Sequence, residues 1–179
     1  MPKDKSRIKG KMSWTVRDKD GNIKRYKNSW IRDFLGLPER LMQGFNNNIV
    51  TNEGDALIVD MLVTTGTRTA VDNANGVIGV GDGFVSALKT TDALVNQIGS
   101  DKAMSATYPK QKGAFAATDD NVIQYRSIFA AGEATGTGLD EALLGNGTDT
   151  LAYAEISPSV NKGASDTLQI DWELTFLGS

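Results

Sequence analysis

Carboxylates are the residues best placed to do chemistry in this chain, because it contains neither histidine nor cysteine. Two neighbouring pairs stand out, Asp140 with Glu141 and Asp119 with Asp120, the kind of pair that glycosidases hold about 5 to 9 Å apart across a scissile bond. Successive residues of a strand point to opposite faces, so neither pair is expected to converge on one substrate, and a carboxylate-based glycan hydrolase is the least favoured reading. The missing histidine removes the commonest general base, the usual zinc ligand and the switch that titrates near neutrality. The missing cysteine removes a disulfide framework, a thiolate nucleophile and a zinc-thiolate site. Composition thus excludes most common hydrolase mechanisms.

Other motifs fail when their spacing is tested. Asp18-Lys19-Asp20-Gly21-Asn22 begins like a calcium loop, whose first, third and fifth ligands are side-chain oxygens. Ile23 stands where that loop needs glycine, and Ser29 where it needs glutamate, so a hairpin turn is the better account. Gly76-Val77-Ile78-Gly79-Val80-Gly81-Asp82-Gly83 is dense enough in glycine to cradle a phosphate. It lacks both the Gly-Lys-Ser/Thr ending and the Gly-x-Gly-x-x-Gly spacing, which leaves a strand followed by a tight turn. Basic residues interleave with Trp14, Tyr26 and Trp30 as in a nucleic-acid surface, but Trp14 and Trp30 are expected to anchor the core. Nucleic acid is therefore not expected as a partner, and no cofactor or metal site emerges.

The elements that would carry these residues are mostly strands. A chain of 179 residues is long enough for one full core, burying roughly 70% of its unfolded surface. Ser13 to Arg17 and Ile23 to Lys27 read as the limbs of a β-hairpin. Asn28 or Ser29 then caps a helix with Trp30, Ile31, Phe34, Leu35 and Leu41 at three- and four-residue spacing, interrupted by Pro38; its apolar face needs a partner. Asn46-Asn47-Asn48 reads as a loop, and Thr51 or Asn52 caps a second helix over Asp55 to Leu62, apolar nearly all round and so expected to be buried. Beyond residue 65 short apolar runs alternate with turn signals, Asn75-Gly76 and Asn146-Gly147 among them, and strands are expected over Gly76 to Val80, Val122 to Ala130 and Leu151 to Ile156.

The clearest strand is the last. Leu168, Ile170, Trp172, Leu174 and Phe176 alternate with Gln169, Asp171, Glu173 and Thr175, the period-2 pattern of a strand with one wet face. Burying those five apolar side chains contributes about 8 to 15 kcal/mol as an upper bound. With helices early and strands late, the expected fold is mainly β (α+β), an antiparallel β-sandwich or jelly-roll-like domain over residues 65–179. It is preceded by a hairpin and helical segment over 13–64 and a mobile basic arm over 1–12.

Charge is unevenly distributed. Residues 1–40 hold 12 Lys/Arg against 5 Asp/Glu, a net +7, and residues 41–179 hold 7 against 17, a net −10. The arm residues Lys3, Lys5, Arg7, Lys9 and Lys11 are thus expected to lie on an acidic partner surface, the alternative being a solvated tail. No run of about 18 apolar residues occurs and no apolar segment follows the basic start, so neither a membrane span nor a secretory signal is expected, and a soluble, intracellularly made protein fits.

Several short motifs carry a family likeness. Val80-Gly81-Asp82-Gly83, Thr91-Asp92-Ala93-Leu94-Val95-Asn96-Gln97-Ile98, Tyr125-Arg126-Ser127-Ile128-Phe129, Asp140-Glu141-Ala142-Leu143-Leu144, Thr150-Leu151-Ala152-Tyr153-Ala154 and Asp171-Trp172-Glu173-Leu174-Thr175-Phe176 resemble, in that order, the tail-collar and tail-fibre N-terminal domains of tailed bacteriophages. Asn28 to Leu35 resembles the start of small stand-alone phage virion proteins. Gln97 departs from the family's acid, Ala142-Leu143 departs from its alanine-glycine, and a fibre shaft after Ser179 is not expected. The resemblance implies a virion protein made in the host cytoplasm, without enzyme activity or cofactor. It would assemble with itself, as a trimer, and with major capsid or tail proteins on the particle exterior, as capsid decoration or as a tail fibre or collar component. The alternative is a receptor- or glycan-binding tail module using loops such as Gly99 to Gly113 with Tyr108, which would make host-surface glycan a partner.

Overall fold

Residues 7–27, 29–63, 66–114 and 119–177 are described by the structure, a computed structural model. Along the chain run β1 (Arg7–Arg17), α1 (Trp30–Phe34), β2 (Gln43–Val50), α2 (Asn52–Leu62), β3 (Val77–Gly81), β4 (Lys102–Ala103), β5 (Lys110–Gln111), β6 (Val122–Phe129), β7 (Gly136–Gly145), β8 (Thr150–Lys162) and β9 (Thr167–Leu177). The nine strands form one sheet in the order β4-β3-β7-β8-β2-β1-β9-β6-β5, and every neighbouring pair is antiparallel. The mainly β, antiparallel class read from the sequence is thus the observed one.

The sheet curls on itself until its β4 rim meets β6. Ser127 Oγ donates to the carbonyls of Lys102 at 3.2 Å and Ala103 at 3.0 Å, and the Ser105 N–H donates to the Arg126 carbonyl at 2.8 Å. The two layers of the sandwich are therefore opposite walls of one curled sheet. Its concave side holds Met12, Trp14, Val16, Ile78, Leu144, Ile156, Phe129 and Trp172, all essentially inaccessible to solvent.

β9 has the expected alternation, with Leu168, Ile170, Trp172 and Leu174 buried. It occupies the middle of the sheet, paired along its whole length with β1, from Arg17↔Thr167 to Arg7↔Leu177, and on its other side with β6.

This pairing corrects the expected arm. The segment Arg7-Ile8-Lys9-Gly10-Lys11-Met12-Ser13-Trp14 itself alternates, so β1 starts at Arg7 and its apolar positions line the core. Gly10 sits opposite Asn48, whose side chain crosses over it: a Cβ on Gly10 would lie 1.6 Å from the Asn48 Oδ1. Because β1 and β2 stand between β8 and β9, no domain boundary separates residues 13–64 from 65–179.

The turn after β1 forms as expected, with Asp18 Oδ1 accepting from the N–H groups of Asp20 and Asn22 at 2.9 Å each. Its return limb is not a full strand: Ile23 and Arg25 make only isolated bridges, to Arg17 and Leu41. Asn46-Asn47-Asn48, expected as a loop, lies within β2, where all three pair with β1 and Asn48 also pairs with β8, which outweighs the weak strand preference of asparagine. α2 is capped by the Thr51 side chain, which accepts from the Gly54 N–H at 2.9 Å. Only Gly54 and Leu57 of that helix are buried, because a single sheet wall covers one side of it.

Asn146-Gly147 makes the β7–β8 turn, Gly147 at φ +83° with Asn146 Oδ1 accepting from the N–H groups of Thr148 and Asp149. Asn75-Gly76 instead leads into β3 through an Asp72-centred turn in which Asp72 Oδ1 accepts from Ala74 and Asn75. Among the described residues no helix is long and apolar enough to cross a membrane.

Candidate functional site

The carboxylates come first because they carried the only catalytic reading. In β7 the register shifts between Leu139 and Glu141, which interrupts the alternation that should have sent Asp140 and Glu141 to opposite faces. Both reach one loop, and both are taken up by its backbone. Asp140 Oδ1 accepts from the N–H groups of Gly83 at 2.7 Å and Phe84 at 3.0 Å. Glu141, with no exposed surface, accepts from the Val95 N–H at 3.0 Å and the Asn96 N–H at 2.9 Å. The Tyr153 phenol donates to the same Glu141 carboxylate at 2.5 Å.

The two adjacent acids thus hold the two ends of the loop that runs from Asp82 to Asn96 over the outer side of β7 and β8. Phe84 stacks on Tyr153 beneath it, with ring centroids 5.8 Å apart. Burial raises the Tyr153 pKa far above the usual phenol value, and the hydrogen bond to Glu141 and the charges of Glu141 and Asp140 push it the same way. The phenol is therefore locked as a donor.

The glycine-dense segment has its explanation in this cluster. A Cβ on Gly81 would lie 2.4 Å from the Asn96 carbonyl oxygen and 2.5 Å from Glu141 Oε1, so only glycine lets the returning loop pack against β3. Gly83 holds φ +140°, a conformation that favours glycine. Those backbone N–H groups are turned to Asp140 and face no open phosphate site.

Asp119 and Asp120 lie in the turn entering β6, with the Asp119 carboxylate 4.0 Å from Lys112 Nζ. A shallow cleft opens between residues 92–101 and the β7–β8 turn, lined in part by Asp101 and Asp149. Asp149 pairs with Arg68, and Asp101 accepts from Gln97 at 2.8 Å. Burial raises the Asp101 pKa against that hydrogen bond.

Of the five basic arm residues, Lys3 and Lys5 lie outside the described residues. Arg7, Lys9 and Lys11 belong to β1, with Lys9 and Lys11 exposed on its convex face. Lys11 stands opposite Glu173 of β9 and places its ammonium 4.4 Å from the Phe45 ring centroid. Its charge helps lower the Glu173 pKa, where burial acts upward and is outweighed by hydrogen bonds from Gln124 and Lys112 and by the charges of Lys112 and Lys11. Lys11 therefore finds an acidic neighbour within its own sheet.

Tyr108 is buried, its ring 4.9 Å from both the Lys110 Nζ and the Arg126 guanidinium, so it offers no open aromatic platform. Trp14 anchors the core as expected, whereas Trp30 is 76% exposed. With it Ile31, Phe34 and Leu35 of the α1 turn, and Val59, Met61, Leu62 and Val63 on and just after α2, stand uncovered. Sequence reasoning left the α1 face wanting a partner and missed the α2 face. No family model, curated protein or solved structure matches the chain.

Proposed function

We propose that this chain is a non-enzymatic structural protein of a tailed-bacteriophage virion. It assembles with copies of itself, as a homotrimer, on the particle exterior as capsid decoration or as a tail fibre or collar component. The observation that carries the reading is the pair of apolar faces left exposed at α1 and α2 on a curled sheet. Soluble monomers seldom leave such faces uncovered.

The paired carboxylates support it from the other side. Of Asp140 and Glu141, the groups best suited to acid–base work, Asp140 Oδ1 accepts from two backbone N–H groups and both Glu141 oxygens accept from backbone N–H groups and a phenol. Four of the six motifs that resemble collar and fibre domains, at residues 80–83, 91–98, 140–144 and 150–154, meet in that one cluster, while those at 125–129 and 171–176 lie in β6 and β9.

The test is mass spectrometry and tagged electron microscopy of purified particles. The protein is expected in the particle, with hundreds of copies if it decorates the capsid and about a dozen or fewer if it belongs to the tail. Its absence from purified particles refutes the reading.

A further inference from the structure

Each of the two exposed apolar faces has a form that a second copy of the chain can read. In the α1 turn Trp30 and Phe34 lie one helical turn apart, as do Ile31 and Leu35, and Trp30 and Phe34 are 76% and 83% exposed. With an aromatic side chain carrying about 150 to 250 Å², this patch is on the order of 400 Å², as large as the biggest patch on a typical monomer. On α2, Leu57 faces the sheet while Val59 and Leu62, three positions apart and 61% and 80% exposed, face away, and Met61 stands partly exposed near the helix end.

The two faces do not cover each other within one chain, since both stand exposed. The segment bearing α1 is tied to the far end of β8, where the Tyr26 hydroxyl donates to the Pro158 carbonyl at 3.1 Å and Lys24 pairs with Asp166. The start of α2 is tied to the near end, where the Thr51 N–H donates to the Leu151 carbonyl at 3.2 Å. Between Leu151 and Pro158 the strand spans roughly 23 Å at about 3.3 Å per residue.

Charge then selects how two copies pair. Residues 23–41 carry Lys24, Arg25, Lys27, Arg32 and Arg40 against Asp33 and Glu39, a net +3, while α2 carries Glu53, Asp55 and Asp60 with no basic residue, a net −3. Setting aside Lys24 with its Asp166 and Asp55 with its Lys89 still leaves +2 facing −2. Pairing α1 with α1, or α2 with α2, brings like charges together, whereas α1 on α2 brings opposite charges together around an apolar centre.

We propose that the α1 face of one copy docks on the α2 face of the next, a head-to-tail contact between copies of this chain. Such a contact repeats from copy to copy and ends only when a ring closes. The inference rests on the self-assembly in the function proposed above, and needs nothing from its virion assignment.

Because the chain has no cysteine, introduced thiols report the contact directly. Phe34→Cys and Leu62→Cys proteins, one carrying a size tag, are purified, mixed in equal amounts and oxidised, and the covalent species are read on a non-reducing gel. Both positions are exposed, so folding is preserved, and circular dichroism checks it. The expected result is a mixed Phe34→Cys/Leu62→Cys dimer well in excess of random pairing, little dimer from either variant alone, and a several-fold drop in mixed dimer when Arg25→Glu and Lys27→Glu are added to the Phe34→Cys chain. Dominant same-variant pairing, random pairing or no covalent product overturns the contact. Particle composition separates the two proposals: a mixed dimer from a protein absent from virions removes only the virion reading, and a virion protein without the mixed dimer removes only the contact.

Discussion

Replacing Glu141 by alanine separates a structural carboxylate from a catalytic one. The side chain is fully buried and accepts from three donors, the N–H groups of Val95 and Asn96 and the hydroxyl of Tyr153. Removing it strands those donors, and a buried donor left without its partner costs about 1 to 3 kcal/mol. Allowing the loop to admit water to some of them, Glu141→Ala is expected to lose about 3 to 6 kcal/mol, a large share of the roughly 5 to 15 kcal/mol that holds an ordinary domain together. Glu141→Gln keeps the shape and one acceptor oxygen but turns an amine toward a donor, so about half that loss is expected. Tyr153→Phe removes one donor with its acceptor still served by two amides, and a loss of about 1 kcal/mol follows. The assay is urea denaturation followed by tryptophan fluorescence, with the double variant closing a cycle. Because Tyr153 has nothing to donate to once Glu141 is gone, the double variant should lose less than the sum of the two single losses. A Glu141→Ala protein within about 1 kcal/mol of the parent refutes the clamp, and one that keeps full stability while losing a glycan-cleaving activity restores the catalytic reading.

Three further outcomes follow from other parts of the fold. Burial pushes the Tyr125 phenol up to about 12 from 10.0, so the folded state holds that proton more tightly; its contribution, on the order of 3 kcal/mol at most, is present below pH 10 and lost as pH rises toward 12. Alkaline unfolding of Tyr125→Phe should therefore begin at higher pH than in the parent, and an unchanged alkaline limb counts against this assignment. Asp166 has its pKa lowered because, against the opposing effect of burial, the Lys24 ammonium and the Gly163 N–H favour the charged form. That stability is present above the ordinary carboxylate pKa of 3.8 and disappears as pH falls through the lower folded value, so Asp166→Asn is expected to destabilise at pH 7 and to converge with the parent in acid. Gly10→Ala, whose Cβ would meet Asn48 Oδ1 at 1.6 Å, should cost about 1 to 3 kcal/mol as overpacking, while an Asn48→Ala change in the same chain should recover part of it.

How legible each element was depended on what its side chains face. β9 was readable because strict alternation from Leu168 to Phe176 meets one dry and one wet side. β1 carries the same alternation, yet lysine at 9 and 11 gives it the composition of a tail; the lysines fit because the convex face is wet and Glu173 stands across from Lys11. β7 was hidden by Gly136, by Gly138 at φ +75° and by its register shifts, which blur any period. The carboxylate clamp was out of reach for a different reason: its backbone partners lie 45 to 57 positions away, and backbone N–H groups leave no signature in side-chain sequence. The apolar pattern of α2 was read correctly as pattern and misplaced as burial, since a sequence shows that a face is apolar but not whether its own chain covers it.

The edges of the sheet decide which surface remains for assembly. An open edge strand invites another chain to add by main-chain pairing, but both edge strands here, β4 and β5, are two residues long. The β4 rim is further occupied by Ser127 and by the Ser105–Arg126 hydrogen bond, and β5 carries Lys110 with Lys112 just after it, charges of the kind that discourage strand addition. Partners are thereby turned away from the edges and onto side-chain surfaces. The large apolar side chains exposed at α1 and α2 are set well apart along β8, which favours contacts that repeat from copy to copy over a single self-paired patch. If main-chain pairing drove assembly instead, proline at Lys110 and Gln111 would disperse the oligomer and Phe34→Ser would not; the helix-face account requires the reverse.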